Sequence, residues 1–179
     1  MKLLLSLSLL AVALPLAAQQ PPGVNEMLQG LVSQQATHTA FTFDREMLQA
    51  SGGLLGLPNN ALNSITVENY RYHEPAFYIP ETMAQVNAAY NAAGYHHLVE
   101  QRVDARDAAV PRGTLADLWL HNNGTDIDSI VVLLRTTHQM SVIDVTGSLR
   151  PLDLVHLSGH FGIPKVDPGA VMVPAPPGK

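Results

Sequence analysis

The chain contains no cysteine among its 179 residues. That absence excludes a disulfide framework, a thiolate metal site, a cysteine nucleophile and a lipidated N-terminal cysteine, so stability has to come from packing. Charge is scarce as well: 14% of the residues are Asp, Glu, Lys or Arg, 10 basic against 15 acidic, for a net charge of −5. An acidic chain without a basic block argues against a nucleic-acid partner. No glycine-rich phosphate cradle is present, because Gly52, Gly53 and Gly56 follow an apolar helical pattern rather than a strand and read as breaks. No repeat with a period of about 20 to 50 residues is visible.

What the chain does have is an apolar start. Residues 1–18 include 14 apolar residues, and without them the 46% hydrophobic share falls to roughly 42%, an ordinary globular composition. Lys2, the apolar run 3–16 and the small residues Ala17 and Ala18 form the pattern of a secretory signal peptide, with cleavage expected after Ala18. The run falls short of the roughly 20 apolar residues a spanning helix needs, and Gln19-Gln20-Pro21-Pro22 stops it. The expected location is periplasmic or secreted, with no membrane span after cleavage.

Residues 19–36 read as a linker with a weak helix, since Val24, Met27, Leu28 and Leu31 recur at helical spacing among Gln, Pro and Gly. Residues 164–179 carry five prolines and two glycines and read as a disordered tail. Between them, 37–163 is expected to form one domain. Its first strand is 40–43, and Asp44 is placed to cap a helix that begins with Met47 and Leu48 and extends towards Leu54 and Leu55. In the strand 62–72, Ile65 and Val67 lie on one face and Tyr70 and Tyr72 on the other. Either a bulge near Glu68 and Asn69 brings all four together, or both faces are covered.

Ile79, Met83, Val86 and Tyr90 then mark a helix over 80–93, with Pro80 in its first turn and Gly94 as a left-handed C-cap. Four strands follow at 96–103, 115–121, 127–135 and 139–145. Asn122-Asn123-Gly124-Thr125 is a hairpin turn, and the fully apolar Ile130-Val131-Val132-Leu133-Leu134 predicts a central strand covered on both faces. Gly147 is read as the end of the sheet, and 151–159 as a short helix with Asp153 in its first turn. The expected fold is α+β: an antiparallel sheet made of a C-terminal four-stranded meander plus one or two N-terminal strands, with helices mainly on one face.

The C-terminal half carries a resemblance. Ile130-Val131-Val132-Leu133-Leu134, Ser141-Val142-Ile143-Asp144-Val145-Thr146-Gly147, Leu152-Asp153-Leu154 and Gly159-His160-Phe161-Gly162-Ile163-Pro164 resemble the domain of unknown function 4252 family of exported bacterial proteins. The earlier strand Ile65-Thr66-Val67-Glu68-Asn69-Tyr70-Arg71-Tyr72 is similar too, so the match runs over about 38–165. The resemblance implies a small periplasmic or secreted bacterial protein, an interaction module associated with envelope regulation. It brings no catalytic residues.

The residues themselves offer little chemistry. His156 and His160 stand four apart, the spacing at which two imidazoles can share a helix face and a zinc ion, but Gly159 lies between them and Asp153 is taken as a helix cap. A solvated helix face is the favoured reading. His96 and His97 are adjacent on a strand and point to opposite faces. Ser158 and Ser141 lack the glycine-flanked elbow and histidine partner of an activated nucleophile. Asp126 and Asp128 share a strand face with nothing to signal a raised pKa. Tyr70, Tyr72, Tyr78 and Trp119 either complete the core or line a binding surface, and Tyr78, in a proline-flanked loop, is the best candidate for the surface. No catalytic, cofactor-binding or metal-binding residue is therefore assigned. Two readings remain: a non-enzymatic binding or interaction module of the cell envelope, whose partner is an envelope protein, or a small-ligand carrier or enzyme with a pocket between sheet and helices near Tyr70, Tyr72 and Tyr90.

Overall fold

The apolar run of residues 130–134 is the centre of the molecule. In the computed structural model, which describes residues 20–50, 61–99, 103–157, 159–160 and 163, it lies in β5 (Asp126–Arg135). Val131 and Leu133 point into one hydrophobic cluster and Ile130 and Val132 into a second on the opposite face, all four fully buried. A strand buried on both faces has no solvent side to make polar, which is why its alternation disappears.

Around it the chain forms a six-stranded, wholly antiparallel sheet. The strands are β1 (Ala36–Asp44), β2 (Leu62–Tyr72), β3 (His96–Val99), β4 (Leu115–Asn123), β5 and β6 (Gln139–Leu149), in the spatial order β1-β2-β6-β5-β4-β3. The expected meander is β3 to β6, and the two N-terminal strands join it by pairing β2 with β6. The helices are α1 (Val24–Gln29), α2 (Arg45–Ala50), α3 (Pro80–Ala92), α4 (Ala105–Ala109) and α5 (Pro151–Leu157). α1 and α3 pack on one face; Leu154 and Leu157 of α5, with Leu48 of α2, pack on the other. The weak helix of the 19–36 segment is α1, and its Val24 and Leu28 are buried in the first cluster.

Local signals account for most boundaries. The amide of Met47 donates to Asp44 Oδ1 at 2.9 Å, capping α2 as its sequence predicts. Pro80 occupies the first turn of α3, and Gly94 follows the helix at φ 87° while the amide of Tyr95 returns to the Tyr90 carbonyl at 3.0 Å. Asp153 accepts the amide of Arg150 at 2.8 Å, reaching back from inside α5 to the residue before it.

The structure differs from the sequence reading in several places. No bulge interrupts Glu68 and Asn69, which pair in unbroken register with Val142 and Ser141; instead both faces of β2 are covered, Ile65 and Val67 by one cluster and Tyr70 and Tyr72 by the other. The β4–β5 hairpin turns on Gly124-Thr125 rather than Asn123-Gly124, since Asn123 pairs with Asp126, and Gly124 adopts φ 68° in the turn. β6 runs on past Gly147 to Leu149 by way of a register shift. β3 is described over His96–Val99, residues 100–102 of the expected 96–103 strand lie outside the described residues, and α4 follows, capped by Asp104, whose Oδ1 accepts the amide of Asp107 at 2.8 Å. Leu54, Leu55, Gly52, Gly53, Gly56, Ser158, residues 1–18 and residues 164–179 lie outside the described residues.

Candidate functional site

The face under α1 and α3 is apolar only where those helices reach. Trp119 is fully buried there, stacked between Tyr90 (4.7 Å between ring centroids) and His97 (4.9 Å), with Tyr95 edge-on to Tyr90 at 5.1 Å. Val86 and Tyr90 of α3 fill the space above the sheet at this point. Further along, the strands change character. On the same face β6 runs Met140, Val142, Asp144, Thr146, and β2 runs Tyr72, Tyr70, Glu68, Thr66, each passing from apolar or aromatic to polar. The polar ends line an open cleft of about 340 Å³ together with Gln20, Asn25 and Val142.

Two carboxylates face this cleft, and no lining residue is cationic. Glu68 Oε2 accepts the Tyr70 hydroxyl at 2.7 Å and bonds His38 Nε2 at 3.0 Å, with the His38 ring stacked on Tyr70 at 4.4 Å. Asp144 Oδ1 has no hydrogen-bond partner among the described residues. Burial pushes the Asp144 carboxyl up to about 6, against a hydrogen bond from Gln20 that lowers it. A carboxyl raised in the folded state holds its proton there more tightly than in the unfolded chain. The stability it contributes is therefore complete below the ordinary carboxylate range near 4 and is lost as pH rises through about 6. Asp144→Asn should consequently leave stability unchanged at pH 3.5 and raise it by about 1–3 kcal/mol at pH 7.5. Urea unfolding of both proteins across that range tests it, and parallel curves would overturn it.

Several other titratable groups are paired. His97 Nε2 bonds Asp117 Oδ1 at 3.1 Å, and Arg135 Nη2 donates to Asp117 Oδ2 at 2.8 Å. Burial raises the Asp117 pKa, but the His97 hydrogen bond and the Arg135 guanidinium outweigh it and hold the carboxyl below its usual value. His121 Nδ1 bonds Asp128, and Asp126 Oδ2 accepts Ser148 Oγ at 2.6 Å, so Asp126 and Asp128 serve separate partners. Ser141 Oγ donates to Asn69 Oδ1 at 2.7 Å. His160 lies beyond the end of α5 and does not share a helix with His156, while His96 is exposed and His97 half-buried. Among the described residues no group of three or more His, Asp or Glu is placed to hold a metal ion. Tyr70, Tyr72, Tyr78 and Trp119 are all buried. Tyr78 is not the surface ring its loop suggested: its hydroxyl donates to the carbonyls of Thr136 (2.9 Å) and Gln139 (3.0 Å) beneath the Arg135 guanidinium, and the exposed ring is its neighbour Phe77.

The least protected feature is β1. Eight of its nine residues are exposed, from Thr37 to Asp44, and Phe41 is 61% exposed. It pairs with β2 through nine consecutive positions without a shift, and among the described residues no strand pairs with its outer edge. Edge strands are normally shortened, bulged or armed with Lys or Pro. β1 is long, regular and free of both residues, and Asp44 is its only acidic side chain. A second cleft of about 550 Å³, lined by His38, Tyr70, Tyr72 and residues of the α1–β1 connection, opens beside its N-terminal end. Only residues 40–43 of this strand are legible in the sequence, because the alternation of Ala36 to Thr39 is too polar to register as half-buried.

These features define an α+β protein with a six-stranded antiparallel sheet, one long edge strand that no strand among the described residues covers, and a polar cleft on the adjoining face. No family model, curated protein or solved structure matches the chain. No helix among the described residues is long and apolar enough to cross a membrane.

Proposed function

We propose that this chain is an exported, non-enzymatic interaction module of the bacterial cell envelope that engages its partner by strand addition at β1. The observation that carries the reading is the nine-residue, unshifted edge strand. An extended partner segment laid against such an edge gains main-chain hydrogen bonds along its length, and alternate side-chain positions supply selectivity. On one face those positions are Thr37, Thr39, Phe41 and Phe43; on the other they are His38, Ala40 and Thr42. The signal-peptide pattern of residues 1–18 and the resemblance to the domain of unknown function 4252 family support export and an envelope setting.

The test is a photo-crosslinking amino acid placed at Phe41 and, as a control, at Asn122 in the exposed β4–β5 hairpin, with both proteins made in the native host. Light-dependent adducts at position 41, absent at position 122 and recovered in the envelope or culture fluid, are expected. Failure to form an adduct at 41, or identical adducts at both sites, would overturn strand addition. Retention of the uncleaved chain in the cytoplasm would overturn export.

A further inference from the structure

The same edge points to a specific occupant, and this step rests on the reading of β1 as a strand-addition surface: we infer that its partner is a second copy of this chain, joined antiparallel across a two-fold axis at Ala40. An edge strand paired antiparallel with itself is self-complementary in hydrogen bonding, because each outward N–H donates to an outward C=O of the other copy and the two-fold axis repeats every bond, as an isologous interface requires. Centred on Ala40, the nine residues of β1 pair throughout: Ala36 with Asp44, Thr37 with Phe43, His38 with Thr42 and Thr39 with Phe41 of the other copy.

Charge decides in favour of this arrangement. The chain as a whole is acidic, so two copies repel over most of their surfaces. β1 is the exception, since its single acidic residue lies at one end and falls opposite an alanine. No like charges meet anywhere along the pairing, and the exposed Phe41 ring gains cover from Thr39 and from its own symmetry mate diagonally across the strands. The two edges of the sheet also differ. β3, at the far side, has four residues among those described, fewer than half the nine of β1, so head-to-tail addition of β1 to these leaves most of β1 unpaired. The β1–β1 pairing uses the full strand and closes as a dimer with a continuous twelve-stranded sheet. A strand of this length spans about 30 Å, which places the interface at the small end of specific contacts and the dissociation constant in the micromolar range.

The absence of cysteine makes the register directly measurable. In Ala40→Cys the only two thiols of the dimer lie across the axis from each other, their Cβ atoms about 5 Å apart, within the range that mild oxidation bridges with small adjustment. In Thr37→Cys they lie about 20 Å apart along the strands. Sedimentation equilibrium at 10–200 μM should give twice the monomer mass for the wild type, and monomer for Thr39→Lys/Phe41→Lys, which sets lysines opposite one another across the axis. The paired control Asn122→Lys/Asn123→Lys should remain dimeric. On oxidation, covalent dimer should form for Ala40→Cys and not for Thr37→Cys. A wild type monomeric at 200 μM, or equal crosslinking of both cysteine variants, overturns the dimer. If the wild type is monomeric while position 41 still crosslinks to a different protein in the host, the self-pairing falls and strand addition stands. If both measurements are negative, both readings fall.

Discussion

Arg135→Met should destabilise the fold by about 3–5 kcal/mol, because it strips the cation from a buried carboxylate without removing the carboxylate. Arg135 is 5% exposed, at the end of β5, and it does three things. It holds Asp117 Oδ2 on β4 at 2.8 Å, donates to the carbonyl of Ala108 in α4 at 3.0 Å, and lies over the Tyr78 ring at 5.5 Å. Besides the apolar packing of Ala76 and Tyr78, polar ties join α4, the Tyr78 segment and the β5–β6 turn, including the Tyr78 amide on the Ala109 carbonyl (2.8 Å) and the Thr137 hydroxyl on the Pro111 carbonyl (2.8 Å). Methionine keeps much of the stem's volume, so the loss reports the charge and its hydrogen bonds rather than a cavity.

The sign with pH follows from the depressed carboxyl of Asp117. Its contribution is complete above the ordinary carboxylate range and is lost as pH falls through its folded value, which lies below that range. The difference between wild type and Arg135→Met should therefore narrow on acidification. The double variant Asp117→Leu/Arg135→Met, which removes both charges, should recover a substantial part of the loss. Denaturant unfolding of the four proteins of the cycle gives the answer. A single variant within 1 kcal/mol of wild type at pH 7, or a double variant as unstable as the sum of the singles, would show that the pair is not coupled as described.

How much of this was legible in the sequence depends on whether a feature is local. Asp44, Pro80, Gly94 and the apolar run at 130–134 act on their own neighbourhoods, and each did in the structure what its chemistry predicts. The antiparallel α+β architecture followed from them. The features that define the candidate site are not local. Asp144 is one polar residue in an otherwise β-rich strand, and its position opposite Thr66 and diagonal to Glu68 exists only once β2 pairs with β6 across some 80 residues of chain. Asp117 and Arg135 are likewise unremarkable until the β4–β5 register brings them together. β1 is only half legible because Thr37, His38 and Thr39 are exposed and Ala36 is small and only partly buried; its strand character comes from β2 beside it, not from a hydrophobic face of its own. α4 carries a local signal, since Asp104 and Asp107 stand at a capping spacing before two alanines, but the apolar pattern of the expected strand 96–103 runs up to its cap and masks its start.

That dependence of β1 on β2, and of β2 on β6, converges on one residue. Gly147 lies where Leu62 meets β6, just before the pairing slips from Leu62–Gly147 to Ser64–Thr146. A β-carbon there would stand 2.1 Å from the Ala61 carbonyl oxygen and 3.2 Å from Leu62 Cα. Those obstacles are backbone atoms, so no rotamer change relieves them, and the carbonyl is itself fixed by the Ser148 amide at 2.8 Å. Glycine is present not for its φ angle but because the start of β2 crosses β6 at backbone distance. Gly147→Ala should cost about 3–4 kcal/mol, at or beyond the upper end of ordinary overpacking, since strand separation is the only relief. Gly113→Ala, which meets nothing within 4 Å, should change stability by less than about 0.5 kcal/mol. Because the clash acts between β2 and β6 alone, hydrogen exchange in Gly147→Ala should accelerate across β1 and β2 while the β3–β6 meander stays protected. Uniform acceleration, or a variant within 1 kcal/mol of wild type, would mean that the approach at Ala61 does not hold the two halves of the sheet together. If the selective pattern appears, the same substitution also removes the platform on which the exposed edge of β1 stands, and dimer and adduct formation at that edge should disappear with it.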